Sequence, residues 1–139
     1  MDKKKLIPDF IKKQKLAVLS TVTAENSSQS AVLEFGETDD LEIIFDTFST
    51  ARKYKNIKQN NKVSLVIGWD ENITVQYEGL AEELFGEERE EYKKKYFKKN
   101  PHAKRWENKP RMTYFRVKPT WIRYSDLNKH PWEIHEITF

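Results

Sequence analysis

The apolar residues of the chain follow two rhythms, and the strand-like one dominates. KLAVLSTV over Lys15–Val22, QSAVLEF over Gln29–Phe35 and LEIIFDT over Leu41–Thr47 are rich in β-branched and small apolar residues, and each predicts a strand. Ala24–Ser28 and Gly36–Asp40 have turn compositions, which makes the first two strands a hairpin. Lys62–Trp69 and Ile73–Leu84 form a second pair around Asp70-Glu71-Asn72, with Gly79 marking a bulge or a close backbone approach. Met112–Lys118 and Trp121–Tyr124 follow, and Pro131–Phe139 reads as a short strand or a packed arm.

Helical spacing appears three times. Leu6–Gln14 gathers Leu6, Ile7, Phe10 and Ile11 on one face with lysines opposite. Thr50–Asn60 has Thr50 as a candidate N-cap and Tyr54 and Ile57 three apart. Gly86–Lys99 is the clearest: Glu90–Lys94 and Glu91–Lys95 are acid-first pairs four apart, and Tyr92 and Tyr96 share the face turned to a sheet. Asn100–Pro110 reads as a loop. Six or seven strands with helices inserted irregularly predict an α+β fold, with a mostly antiparallel closed sheet in one domain over residues 1–139, and argue against a Rossmann fold.

Composition narrows the partners more than the fold. Lys and Arg number 25 against 22 Asp and Glu, so the net charge of +3 gives little support to a nucleic-acid partner. A small barrel binding single strands through lysines and exposed aromatics is the weaker alternative. The 37% hydrophobic and 13% aromatic content supplies a core despite 34% charged residues. No cysteine is present, which excludes disulfides, thiolate metal sites and cysteine nucleophiles. The opening MDKKKLIPDF lacks a leader-like apolar region, and no run of about 18 apolar residues occurs, so a soluble, cytoplasmic protein without membrane contact is expected. His130 and His135 are five apart, on opposite faces of a strand, and no metal is expected there. No catalytic acid, base or nucleophile stands out.

The chemistry concentrates in Phe45–Val66, FDTFSTARKYKNIKQNNKVSLV. Hydroxyls at a strand end, then Arg52 and Lys53 in the first turn of a helix, suit a phosphate monoester, because a helix N-terminus carries partial positive charge. The dipole penalty on cations there is only about 0.3–1 kcal/mol, so two solvated cations on an ordinary helix is the competing reading.

The same run, FDTFSTARKYKNI followed by NKVSLVI, resembles the signature of the pyridoxamine 5′-phosphate oxidase-like, FMN-binding split-barrel family. LAVLSTV and SQSAVLEF before it, and ITVQYEGLAEEL and RVKPTWIRYSD after it, stand in that family's order, so the likeness covers Leu16 to Asp126. It implies a split β-barrel with peripheral helices, an FMN cofactor, and a homodimer with each cofactor in a cleft at the interface. Residue by residue, it implies that Arg52 and Lys53 hold the FMN phosphate, aided by Thr47, Ser49 and Thr50. Backbone groups of Ser30, Ala31 and Val32 would line the isoalloxazine, and Gln76, ahead of Thr74, would reach the flavin from the same side. A tryptophan of the second copy, Trp106, Trp121 or Trp132, would close the pocket.

The departures matter as much. Ala51 stands where many members carry a serine, and neither an arginine near Ala31 nor a C-terminal Arg-x-His motif is present. The likeness is therefore to the small general-stress-protein-like members and not to the vitamin B6 oxidase itself. The implied activity is that of a flavin-dependent oxidoreductase on an undefined small substrate, the alternative being a non-catalytic flavin carrier or stress-related flavin-binding protein. Deazaflavin or haem are cofactors of distant relatives; the intact Arg-Lys pair favours FMN.

Overall fold

Strands that are apolar on one side must close that side against something, and here they close it against each other. The computed structural model describes residues 3–139, so Met1 and Asp2 of the lysine-rich opening lie outside it. In chain order come α1 (Lys3–Lys13), β1 (Leu16–Val22), β2 (Ser28–Glu34), β3 (Gly36–Glu37), β4 (Ile43–Phe48) and α2 (Arg52–Gln59). Then follow β5 (Lys62–Ile67), β6 (Ile73–Glu83), α3 (Gly86–Lys99), a 3-10 helix (Pro101–Trp106), β7 (Met112–Asp126) and β8 (Glu133–Thr138).

The hydrogen-bonded path is β2-β1-β5-β6-β7-β4-β3, seven strands, with β8 added to β7, and every pairing is antiparallel. β2 and β3 stand at opposite ends of that path yet are separated in sequence by Phe35 alone. The sheet therefore curls until its two ends meet through the chain. This is the α+β split barrel that the sequence implies.

Alternation fills the interior. Ala17 and Leu19 of β1, Val63, Leu65 and Ile67 of β5, and Phe45 and Phe115 of β4 and β7 point inward and are buried. Ile7 and Ile11 of α1 join this core, as their spacing on one helix face predicts. Tyr77 of β6 is buried too, and its hydroxyl lies 2.7 Å from the Leu41 carbonyl and 3.1 Å from that of Val117, so its one hydrogen has an acceptor inside the barrel. A second apolar cluster, with Ile44, Tyr96, Phe97 and Tyr114, lies where α3 covers the outside of β4 and β7.

Several local expectations change. Met112–Lys118 and Trp121–Tyr124 are one strand, β7, despite Pro119. The pairing with β6 shifts at Glu78/Gly79, where Pro119 faces Gly79 and Trp121 faces Glu78, leaving Thr120 as the extra residue of a bulge. A Cβ on Gly79 would stand 2.4 Å from the Lys118 carbonyl oxygen, so the close approach does require glycine. α2 starts at Arg52, with Ala51 and not Thr50 at the N-cap, because Ala51 is the last extended residue. The stretch read as a loop after α3 contains the 3-10 helix. On α3 the ion pairs form three apart, Glu90 with Lys93 at 3.4 Å and Glu91 with Lys94 at 3.8 Å, in place of the pairs four apart. No helix among the described residues is long and apolar enough to cross a membrane.

Candidate functional site

The site is built by the way α2 is tied down. Asn56, a buried polar side chain, donates from Nδ2 to Thr21 Oγ1 of β1 (3.0 Å) and to Gln29 Oε1 of β2 (2.9 Å). Tyr54 donates its hydroxyl hydrogen to Glu83 Oε1 at 2.9 Å, and Lys58 Nζ lies 2.7 Å from the same oxygen. Ile57 is buried in the barrel core. These contacts hold the body of the helix and leave its first turn facing β2.

That first turn carries Arg52 and Lys53. No side chain caps it and no acidic residue lies in it. Among the described residues neither cation has an ion-pair or side-chain hydrogen-bond partner. Both line a small cleft of about 100 Å³ together with Thr21, Gln29, Ser30 and Ala31. Lys53 also borders a larger cavity of about 330 Å³, whose walls come from Val32–Glu34 of β2, Asp46–Phe48 of β4 and the 3-10 helix. Lys53 and the continuous run of β2 join the two into one groove.

The expected site residues divide sharply. Ser30, Ala31, Val32, Thr47, Arg52 and Lys53 all border this groove. Ser49 and Thr50 do not: they sit in the turn before α2, where the Ser49 N–H donates to the Arg111 carbonyl at 2.8 Å and Thr50 is exposed. Ala51 itself lines the groove. Gln76 lies farther away, exposed on the outer face of β6. Cross-strand partners put it in one row with Val32, Val18 and Val66, three strands from β2 and so about 14 Å away. Within one chain it does not reach the groove from the same side as the other residues.

The groove also contains side chains that sequence reasoning passed over. Asp46 lies beside the Tyr96 hydroxyl; burial, chiefly, raises its pKa above the usual carboxylate value, the hydrogen bond from Tyr96 offsets part of that, and Glu34 adds to the rise. Tyr96 is in turn pushed up by its own burial and by Asp46. At the rim, His102 Nε2 is 2.5 Å from Glu34 Oε2. Arg105 stacks on Trp106 at 4.9 Å, and Phe48 meets Trp106 edge-on at 6.4 Å. The signal missed was the segment Asn100–Trp106, whose residues lack helical periodicity and read as a connector. Trp106 thus lines the groove of its own chain, while Trp132 is exposed in the approach to β8.

Chemically, the groove pairs an uncapped helix N-terminus and two free cations at one end with apolar and carboxylate walls along its length. An anion fits the first part, and a flat, partly apolar body fits the second.

Solved structures show the same fold. General Stress Protein 26 from Bacillus anthracis str. Sterne superposes with a TM-score of 0.77 at 26% identity, over 99% of this chain and 100% of its own. A heme binding protein from Mycobacterium smegmatis gives a TM-score of 0.85 at 13% identity, over 99% of this chain, which spans only 58% of that protein's length. A pyridoxamine 5′-phosphate oxidase-related, FMN binding protein from Nostoc punctiforme PCC 73102 gives 0.66 at 12% identity, over 90% of this chain and 86% of its own. No curated protein matches the chain. The profile of the pyridoxamine 5′-phosphate oxidase family, however, matches residues 4–126, from α1 to the end of β7, and the chain belongs to that family.

Proposed function

We propose that the chain binds FMN in the groove between α2, β2 and β4, and that it works as a flavin-dependent oxidoreductase on a small substrate. The observation that carries this reading is the first turn of α2, uncapped and bearing two unpaired cations against Ser30 and Ala31. Arg52 and Lys53 would take the phosphate, and Ala31 and Val32 would lie along the ring system. Bound FMN would supply the two-electron chemistry; the chain supplies anchoring, orientation and a partly dry wall. Haem suits the groove less well. His102 is the one histidine lining it among the described residues, and its Nε2 is engaged by Glu34.

The same reading includes a second copy of the chain. Part of the outer sheet face is bare: Val32 is 61% exposed and Val66 41%, although each stands beside a neighbouring strand's apolar residue, Val18. A two-fold dimer would cover these valines with the equivalent valines of a second copy. Setting the valine row of one copy on that of another carries Gln76 toward the neighbouring groove, which gives that residue the route it lacks within one chain. A homodimer with the cofactor at its interface is therefore part of the proposal.

Titration of the purified protein with FMN tests it. Arg52→Ala combined with Lys53→Ala is expected to weaken binding strongly, since each charge-assisted phosphate bond contributes about 1.5–3 kcal/mol. Unchanged affinity would move the phosphate site elsewhere. A non-catalytic flavin carrier would use the same groove; reduction of the bound flavin by NADH or NADPH with turnover of an acceptor separates the two.

A further inference from the structure

A second cavity, of about 500 Å³, lies apart from the groove, between α1 and the turn that joins β5 to β6. The chain's own packing holds it open. Gly68, with φ +81°, lets Phe10 of α1 press on the backbone, where a Cβ would stand 2.4 Å from Phe10 Cζ. Phe10 in turn meets Tyr124 edge-on, with ring centroids 5.7 Å apart. The turn is tied to the end of β7: Asn128 Nδ2 donates to the Glu71 carbonyl (2.7 Å) and the Leu127 N–H to the Asn72 carbonyl (2.9 Å).

Its lining combines two chemistries. Phe10, Trp69 and Tyr124 supply aromatic walls, and Trp69 is 46% exposed. Asp9, Asp70 and Glu71, all exposed, border the same space against a single ammonium, that of Lys13. None of the three carboxylates makes an ion pair among the described residues. No group of three or more His, Asp or Glu among the described residues is placed to hold a metal ion, so these carboxylates stand as separate charges. Tyr124 is only 4% exposed, yet its hydroxyl donates no hydrogen bond among the described residues. Burial, then the charges of Asp126 and Glu133, raise its pKa, so it remains a neutral phenol whose oxygen can accept.

Separate carboxylates suit separate positive charges, and aromatic walls suit an apolar stretch between those charges, since a ring face attracts both methylenes and cations. An alkyl chain with ammonium groups along it meets both demands. Three carboxylates against one ammonium also favour a ligand with more than one positive charge. We infer that this cavity binds a linear polyamine, its methylenes against Phe10 and Trp69 and its ammonium groups at Asp9, Asp70 and Glu71. An N–H that reaches inward finds the Tyr124 oxygen. The site shares no lining residue with the groove and is independent of the FMN reading.

Isothermal titration calorimetry of the full chain with spermidine tests it, with 1-butylammonium as the monocation control and Mg²⁺ as the inorganic one. The expected result is one spermidine per chain, with 1-butylammonium weaker by about tenfold or more, because the second charge supplies much of the attraction. Asp70→Asn combined with Glu71→Gln is expected to raise the spermidine Kd about tenfold, the scale of two exposed ion pairs. Trp69→Ala should raise it about threefold to tenfold and Trp69→Phe much less, since the ring face is what counts. Lys13→Ala should tighten binding, as it removes the one opposing charge. These side chains are exposed, and circular dichroism checks that each variant folds. No saturable binding of spermidine would overturn the inference, as would 1-butylammonium binding equally well. A Kd that Trp69→Ala leaves unchanged, with Mg²⁺ displacing spermidine at similar concentration, would also overturn it and reduce the site to diffuse surface charge.

Discussion

Two arginines on β7 show how differently the two halves of one sheet are finished. Arg116 and Arg123 both point away from the barrel interior, because the extra residue at Thr120 resets the alternation between them. Arg116 lies under α3 and is fully engaged: Nη1 donates to Tyr92 Oη (2.9 Å) and Glu88 Oε2 (3.0 Å), and Nη2 to Glu82 Oε2 (3.0 Å). Glu42 stands behind, accepting from the Tyr92 hydroxyl at 2.8 Å. Arg123, on the half that no helix covers, has a single loose ion pair, Nε to Glu136 Oε1 at 3.5 Å, and that buried Nε makes no hydrogen bond. The covered half is complete as a protomer and speaks for stability. The uncovered half is unfinished, and that is where the groove and the proposed second copy meet.

The largest expected effect is on the covered half. Arg116→Ala strands Glu42 and Glu82 and should cost about 2–3 kcal/mol of folding stability, between the values for exposed and buried pairs, read as a lower urea midpoint. Arg123→Ala removes only the half-exposed pair with Glu136 and should leave that midpoint within about 0.5 kcal/mol. Equal losses would mean that the two halves do not differ as described. Asn56→Ala comes next, at about 1–2 kcal/mol, since it leaves Thr21 and Gln29 short of a donor. It should also weaken FMN binding without touching the phosphate cations, because the first turn of α2 loses its aim; full retention of affinity would show that the tether does not position that turn.

The smallest effect concerns Asp46. Its folded pKa is raised above the ordinary 3.8, so the folded state holds its proton more tightly than the unfolded chain does. Stability from this group is complete below the ordinary value and is lost as pH rises through the folded one. Asp46→Asn should therefore raise the melting temperature at neutral pH, with the gain shrinking as pH falls toward 3.8. A gain independent of pH would assign the effect to something other than ionisation.

Much of this was legible in the chain for a physical reason: alternation and helical spacing report which side of an element is buried. The strand β1 and the helix α3 appear nearly where KLAVLSTV and GEEREEYKKKYFKK place them. Groove residues close together in sequence, such as Arg52 and Lys53, were legible too. What stayed hidden depends on contacts between distant segments. Asn56 looks like a solvated helix residue until β1 and β2 are beside it. Pro119 looks like a strand break until the bulge opposite Gly79 accommodates it. Gln76 looks like a groove residue until its register places it three strands away. Glu34 and His102, 68 residues apart, meet only across the folded rim.

Whether the groove under α2 holds FMN is decided by the absorbance spectrum of the purified protein, together with the mass of whatever co-purifies. The expected result is a yellow protein with flavin absorbance bands and about one FMN per chain, or a colourless protein that acquires those bands when FMN is added. A protein that stays colourless with excess FMN, or that carries a haem spectrum in its place, would contradict it.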